Sequence, residues 1–151
     1  AALHDASACN TAISQARSQV EPLKPADEPP WLYWMNPSLI DIRSGDSLLE
    51  LGQADQAATL LREGVAQLSP SFIRDRQVYL TSLADALARP GKQRDLDAAA
   101  GLGMQSIDLA ENLDSYRGAD RLRDLHCLLK PHHQVPAVRD FLERAEVFTA
   151  T

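Results

Sequence analysis

The sequence predicts an all-α protein, an array of about seven antiparallel helices arranged as a solenoid of helical hairpins. Three observations predict it. Small and apolar residues recur every three to four positions, as at Ala57, Ala58, Leu60, Leu61, Gly64, Val65 and Leu68, which is the period of an amphipathic helix. No segment of the sequence alternates in the strand period, and aromatic residues make up only 5% of the chain, leaving little material for strands. Prolines, glycines and short polar runs cut the helical stretches apart, and short connections return successive helices antiparallel.

The first helix runs from about Leu3 to Val20. It stops before Glu21-Pro22-Leu23-Lys24-Pro25-Ala26-Asp27-Glu28-Pro29-Pro30, a run that cannot continue a helix. Asn36-Pro37 reads as N-cap and first-turn proline of a helix reaching about Leu51, with Gly52 as its stop. Asp55 to Leu68 forms the next helix. Ser69-Pro70 repeats the cap-and-proline signal for a helix to about Arg89, and Pro90-Gly91 is a turn. Leu96 to Asn112 follows, then a helix capped by Asp114 or Ser115 and ending near Lys130-Pro131. The last helix starts around Val135-Pro136 and reaches about Val147.

Two consecutive hairpins share one pattern of small residues. From Gly45, Leu48 lies three residues on, Gly52 seven, Ala57 twelve, Leu61 sixteen and Gly64 nineteen. From Ala84, Leu87 lies three on and Gly91 seven on; after a three-residue insertion, Ala99, Gly103 and Ser106 keep the internal spacings of four and seven. Antiparallel helices approach closely only where a small residue faces a large one. Gly45 and Ala84 therefore mark a helix crossing, Ala57 and Ala99 the opposing helix, and Gly64 and Ser106 positions where a neighbouring hairpin stacks. Gly52 and Gly91 serve the turns.

These offsets resemble the tetratricopeptide repeat. Gly45 and Ala84 match its Gly, Leu48 and Leu87 stand for its Tyr, and Ala57 and Ala99 match its Ala. The repeat's Trp is absent from both copies, where Asp41 and Leu80 stand instead, and Pro70 lies one place late for its final Pro. The resemblance implies one helical-repeat domain over 1–151. Residues 1–20 are the second helix of a truncated repeat, 21–35 a proline-rich linker with an aromatic cluster, 36–68 and 70–112 the two repeats, and 114–148 a degenerate capping hairpin. The start at Ala1, without Met, suggests a piece of a longer protein.

Four stretches carry a closer resemblance. They are Pro29-Pro30-Trp31-Leu32-Tyr33-Trp34-Met35-Asn36, Gly45-Asp46-Ser47-Leu48-Leu49-Glu50-Leu51-Gly52, Asp75-Arg76-Gln77-Val78-Tyr79-Leu80-Thr81-Ser82-Leu83-Ala84, and Val135-Pro136-Ala137-Val138-Arg139-Asp140-Phe141-Leu142-Glu143-Arg144. Over residues 29–145 they resemble the C-terminal helical-repeat region of actinobacterial helix-turn-helix transcriptional regulators. The resemblance implies a sensing, self-association or partner-binding role, with DNA bound only through an upstream domain absent from this sequence.

Composition limits the chemistry. Lys and Arg total 15 against 21 Asp and Glu, giving a formal net charge of −6, the wrong sign for direct contact with a nucleic-acid backbone. No apolar run is long enough for a membrane span, and the first residues lack a signal-peptide pattern. With Cys9 and Cys127 as the only cysteines, a disulfide framework is excluded and a cytoplasmic protein is expected. His126, His132 and His133 straddle a proline turn at spacings that do not make a helical metal pair. Cys127 reads as a core thiol on a packing face with Leu125, Leu128 and Leu129. Gly101-Leu102-Gly103 falls within a helical pattern, so it is no phosphate loop. Neither catalytic residues nor a cofactor are expected.

The expected partner is a protein or peptide, or a second copy of the chain in a homodimer. In the repeat class the groove is lined by the first helix of each pair, which offers Leu39, Ile42, Asp46, Leu49 and Glu50, then Val78, Thr81, Asp85 and Arg89. That mixed apolar and acidic lining suits an extended or helical peptide with basic character, or is filled by the chain's own linker. Trp31, Tyr33 and Trp34 either anchor a partner or cover the open apolar end of the first complete repeat. Two alternatives accompany the regulator reading: a peptide- or protein-binding scaffold outside transcription, and a helical regulatory domain of a larger enzyme.

Overall fold

A computed structural model of the chain describes residues 5–20, 37–69, 72–112 and 118–149. Among them lie seven α-helices and no strand: α1 Ala6–Val20, α2 Pro37–Glu50, α3 Ala54–Gln67, α4 Ile73–Ala88, α5 Leu96–Asn112, α6 Ala119–Leu129 and α7 Pro136–Thr149, with a 3₁₀ turn at Lys130–His132. The all-α expectation holds. None of these helices is long and apolar enough to cross a membrane. The chain divides into two compact units, Ala1–Leu68 and Ser69–Thr151, and the division falls where the sequence separates its two repeats.

In the first unit, α1 is capped by Asp5, whose Oδ1 accepts the Ala8 N–H at 2.9 Å. Pro37 opens α2 at a position where a missing N–H costs nothing. α2 ends in a Schellman motif: Gly52 adopts φ +73°, its N–H donates to the Leu49 carbonyl, and the Gln53 N–H donates to the Leu48 carbonyl, both at 2.9 Å. The chain reverses there within three residues, and α3 returns antiparallel against α2. α1 packs on α2.

In the second unit α4 is buried on nearly every side, because α5 covers one flank and α6 another. The turn after α4 is built differently from the one after α2. Gly52 and Gly118 are the glycines with positive φ among the described residues, so Gly91 does not repeat the role of Gly52. The chain instead leaves α4 through Arg89 in an extended conformation, as a residue preceding proline prefers. The Asp95 N–H then donates to the Leu87 carbonyl at 2.9 Å, and Asp95 Oδ1 caps α5 by accepting the Ala98 N–H at 2.9 Å. α6 and α7 form a further hairpin stacked on the α4–α5 pair, α6 lying against α4 and α7 against α5.

Two helix starts differ from the sequence reading. α4 spans Ile73–Ala88, and before it the Phe72 N–H donates to the Ser69 carbonyl at 3.0 Å, while Pro70 lies outside the described residues. α6 begins at Ala119, with Gly118 as N-cap at φ +91°; Asp114 and Ser115 lie outside the described residues.

Candidate functional site

At Gly64 and Ser106 the small-residue register makes contacts at equivalent positions in both hairpins. In the first, a Cβ on Gly64 would meet the Ser38 carbonyl and Ile42 Cγ1, each at 2.7 Å. In the second, Ser106 donates to the Gln77 carbonyl at 3.0 Å and shares a 2.8 Å hydrogen bond with the Thr81 hydroxyl. Ser38 and Ile42 each lie 39 positions before Gln77 and Thr81, so the seam is one design executed twice. An apolar Ile over a glycine is replaced by a Thr bonded to a Ser. Gly64 and Ser106 thus make these contacts inside their own hairpins, where the sequence pattern suggests positions that admit a neighbouring one. Ala57, Ala84 and Ala99 are fully buried, as close crossings require.

The hairpins differ in what fills the next position. Gly45 in α2 leaves room for Leu61 of α3, whose Cγ lies 2.5 Å from where a Cβ would sit. In the second hairpin the position of Leu61 is Gly103, and the space is taken by Phe141 of α7, with ring carbons 2.5 and 2.8 Å from a Cβ built on Gly103. Phe141 is fully buried. One seam is filled from within its hairpin, the other by the helix stacked on it.

A third seam joins α1 to α2. Arg17 Nε donates to Asp41 Oδ1 at 2.8 Å and its Nη2 lies 2.6 Å from the same oxygen. The Nη2 group is also 3.6 Å from Glu63 of α3. Asp41 is buried, at 7% exposure, while none of residues 6–19 of α1 is. Ala6, Cys9, Ile13 and Ala16 are half-buried and form the face of α1 turned inward.

The groove candidates divide. On α2, Ile42 and Leu49 are buried, Leu39 and Asp46 half-buried and Glu50 exposed. On α4, Thr81 is buried against Ser106, while Val78, Asp85 and Arg89 are half-buried. Ile42 and Thr81 are therefore spent inside their hairpins and are not free to line a groove. Asp85 and Arg89 pair along α4, Nε to Oδ1 at 2.5 Å. The hydrogen bond to Asp85 holds the Arg89 guanidinium above its ordinary pKa, against the opposing pull of partial burial. Trp31, Tyr33 and Trp34 lie outside the described residues.

Elsewhere the polar residues are scattered. His126 Nε2 is 3.6 Å from Glu146 of α7, and Arg94 bonds His132 at 2.6 Å, so these histidines serve different contacts. Among the described residues no group of three or more His, Cys, Asp and Glu is placed to hold a metal. Cys127 is exposed, contrary to the core position expected. The buried stripe of α6 is Leu122, Leu125 and Leu129, and Cys127, two residues from the last two of these, turns the other way.

By its geometry the chain is an all-α protein of helical hairpins with small-residue seams. No protein-family model, curated protein or solved structure matches it.

Proposed function

We propose that this chain is a non-catalytic interaction module of tetratricopeptide-like hairpins that binds a protein or peptide. The observation that carries this reading is the repeated seam: Ser38–Ile42–Gly64 in one hairpin and Gln77–Thr81–Ser106 in the next occupy the same register. Repeating one hairpin generates extended faces from a single packing solution, which is how repeat proteins present binding surfaces. Half-buried Leu39, Asp46 and Val78 and exposed Glu50 lie on the first helices of the hairpins.

The resemblance read from the sequence refines the proposal to the ligand-sensing or oligomerisation part of a transcriptional regulator, whose DNA-binding helices would lie outside these residues. The test has two arms. Peptide display against the chain should enrich basic sequences, and Glu50→Lys should weaken the selected binders about tenfold. Selection of random duplex DNA by the full gene product should enrich a motif. Failure of the DNA arm alone removes the regulator reading and leaves a scaffold; failure of the peptide arm removes the module.

A further inference from the structure

We propose that the seam on α2–α3 now covered by α1 is a docking seat for a helix of another protein, one that presents a single Arg beside a stripe of small residues, and that α1 is its exchangeable placeholder. The inference deepens the interaction-module reading and rests on it.

The seat is built to hold a cation. Asp41 of α2 sits at 7% exposure, and a carboxylate taken that far from water needs a compensating charge. Glu63 of α3 approaches the same point, so two helices each bring a carboxylate to one guanidinium. Arg17 supplies it through Nε and Nη2. The position is particular to this hairpin: 39 residues on, the second hairpin has buried Leu80 where the first has Asp41. The seat therefore selects by charge where its counterpart is apolar.

The occupant is held lightly. None of residues 6–19 of α1 is buried, and its inward face there is Ala6, Cys9, Ile13 and Ala16, of which only Ile13 is large. A 15-residue helix is marginal in water by itself, so α1 persists through the Arg17 anchor and a thin apolar contact. Removing it would expose an acidic anchor, the complement of an amphipathic helix with one Arg.

The test uses the full chain and a fluorescent synthetic peptide of residues 5–20. In Arg17→Ala protein, hydrogen exchange across α1 should rise to the rate of a free helix while α2 and α3 stay protected. The labelled peptide should bind that protein about tenfold more tightly than wild type, whose own α1 competes. A peptide with Arg17→Glu should lose this binding to Arg17→Ala protein and recover it on an Arg17→Ala chain carrying Asp41→Arg. Protection of α1 equal to that of α2 in Arg17→Ala protein would overturn the proposal, as would absence of peptide binding. If wild-type chain forms dimers that trade α1 between copies, the occupant is a second copy and the partner claim fails. Display-selected peptides that bind unchanged to Asp41→Asn protein would sink the seat and leave the interaction module standing.

Discussion

Replacing Gly103 by alanine should destabilise the second unit, although alanine is the better helix former, while the same change at Gly101, two residues earlier in α5, should stabilise it. A Cβ at Gly101 meets nothing within 4 Å, so Gly101→Ala gains the intrinsic preference, about 0.5–1 kcal/mol. At Gly103 the new carbon would lie 2.5 Å from Phe141 Cε2, 2.8 Å from Cδ2 and 3.2 Å from Leu125 Cδ2. The shortest of these falls about 1 Å inside the ~3.5 Å at which carbon pairs attract. Phe141 is fully buried, so its ring cannot swing into solvent. Overpacking of this kind costs about 1–3 kcal/mol, which outweighs the gain in propensity.

Urea denaturation followed by circular dichroism gives the net change, and hydrogen exchange of α5 amides assigns it to the second unit. Phe141→Leu in the Gly103→Ala background should recover part of the loss, because the truncated side chain vacates the space the new methyl needs. If Gly103→Ala proves as stabilising as Gly101→Ala, Phe141 does not fill the gap over α5, and the account of the second hairpin's seam fails.

Thr81→Ile with Ser106→Gly transplants the first hairpin's seam into the second; the double variant should be more stable than the sum of its single changes by about 1 kcal/mol or more, measured as a double-mutant cycle in urea. Gly52→Ala should cost about 1–2 kcal/mol from its positive φ alone, whereas Gly91→Ala, lacking that conformation, should be neutral or slightly stabilising in the same melts. Cys127 should react with a maleimide faster than Cys9 in native protein, since it is exposed and Cys9 half-buried; Arg17→Ala should accelerate Cys9 severalfold and leave Cys127 unchanged, as read by mass spectrometry.

The crossing at Gly45 was legible because it follows a local rule. A helix that approaches another closely must carry a small residue at the contact, and the spacing of Gly45 and Ala57 exposes that requirement along the chain itself. The groove was less legible. A stripe on a helical wheel gives the buried direction only when a helix has one buried side, and α4 is covered on several, so Thr81 could be assigned to an open face although it is sealed against Ser106. The Arg17–Asp41 pair had no local signature: its partners lie 24 residues apart, and neither charge belongs to a periodic pattern. Gly103 was recognisable as a repeat position, but nothing near it announces Phe141, which comes from a helix 38 positions later.

Each hairpin carries a further helix or pair of helices on its flank, and the manner of attachment differs in kind. On the second hairpin the attachment is apolar and deep. Phe141 enters the gap above Gly103, and Leu122, Leu125, Leu129 and Val138 are all essentially inaccessible to water. Burying each such side chain is worth about 1.5–3 kcal/mol, so α6 and α7 behave as permanent parts of the core. On the first hairpin the attachment is shallower: buried Asp41 of α2 is met by the Arg17 guanidinium of α1, which is itself 44% exposed. An anchor open to solvent to that degree is weakened by screening and is the kind that another guanidinium can replace. The two attachments thus differ in depth: buried apolar side chains hold α6 and α7, whereas α1 is held at Asp41 by a guanidinium open to water.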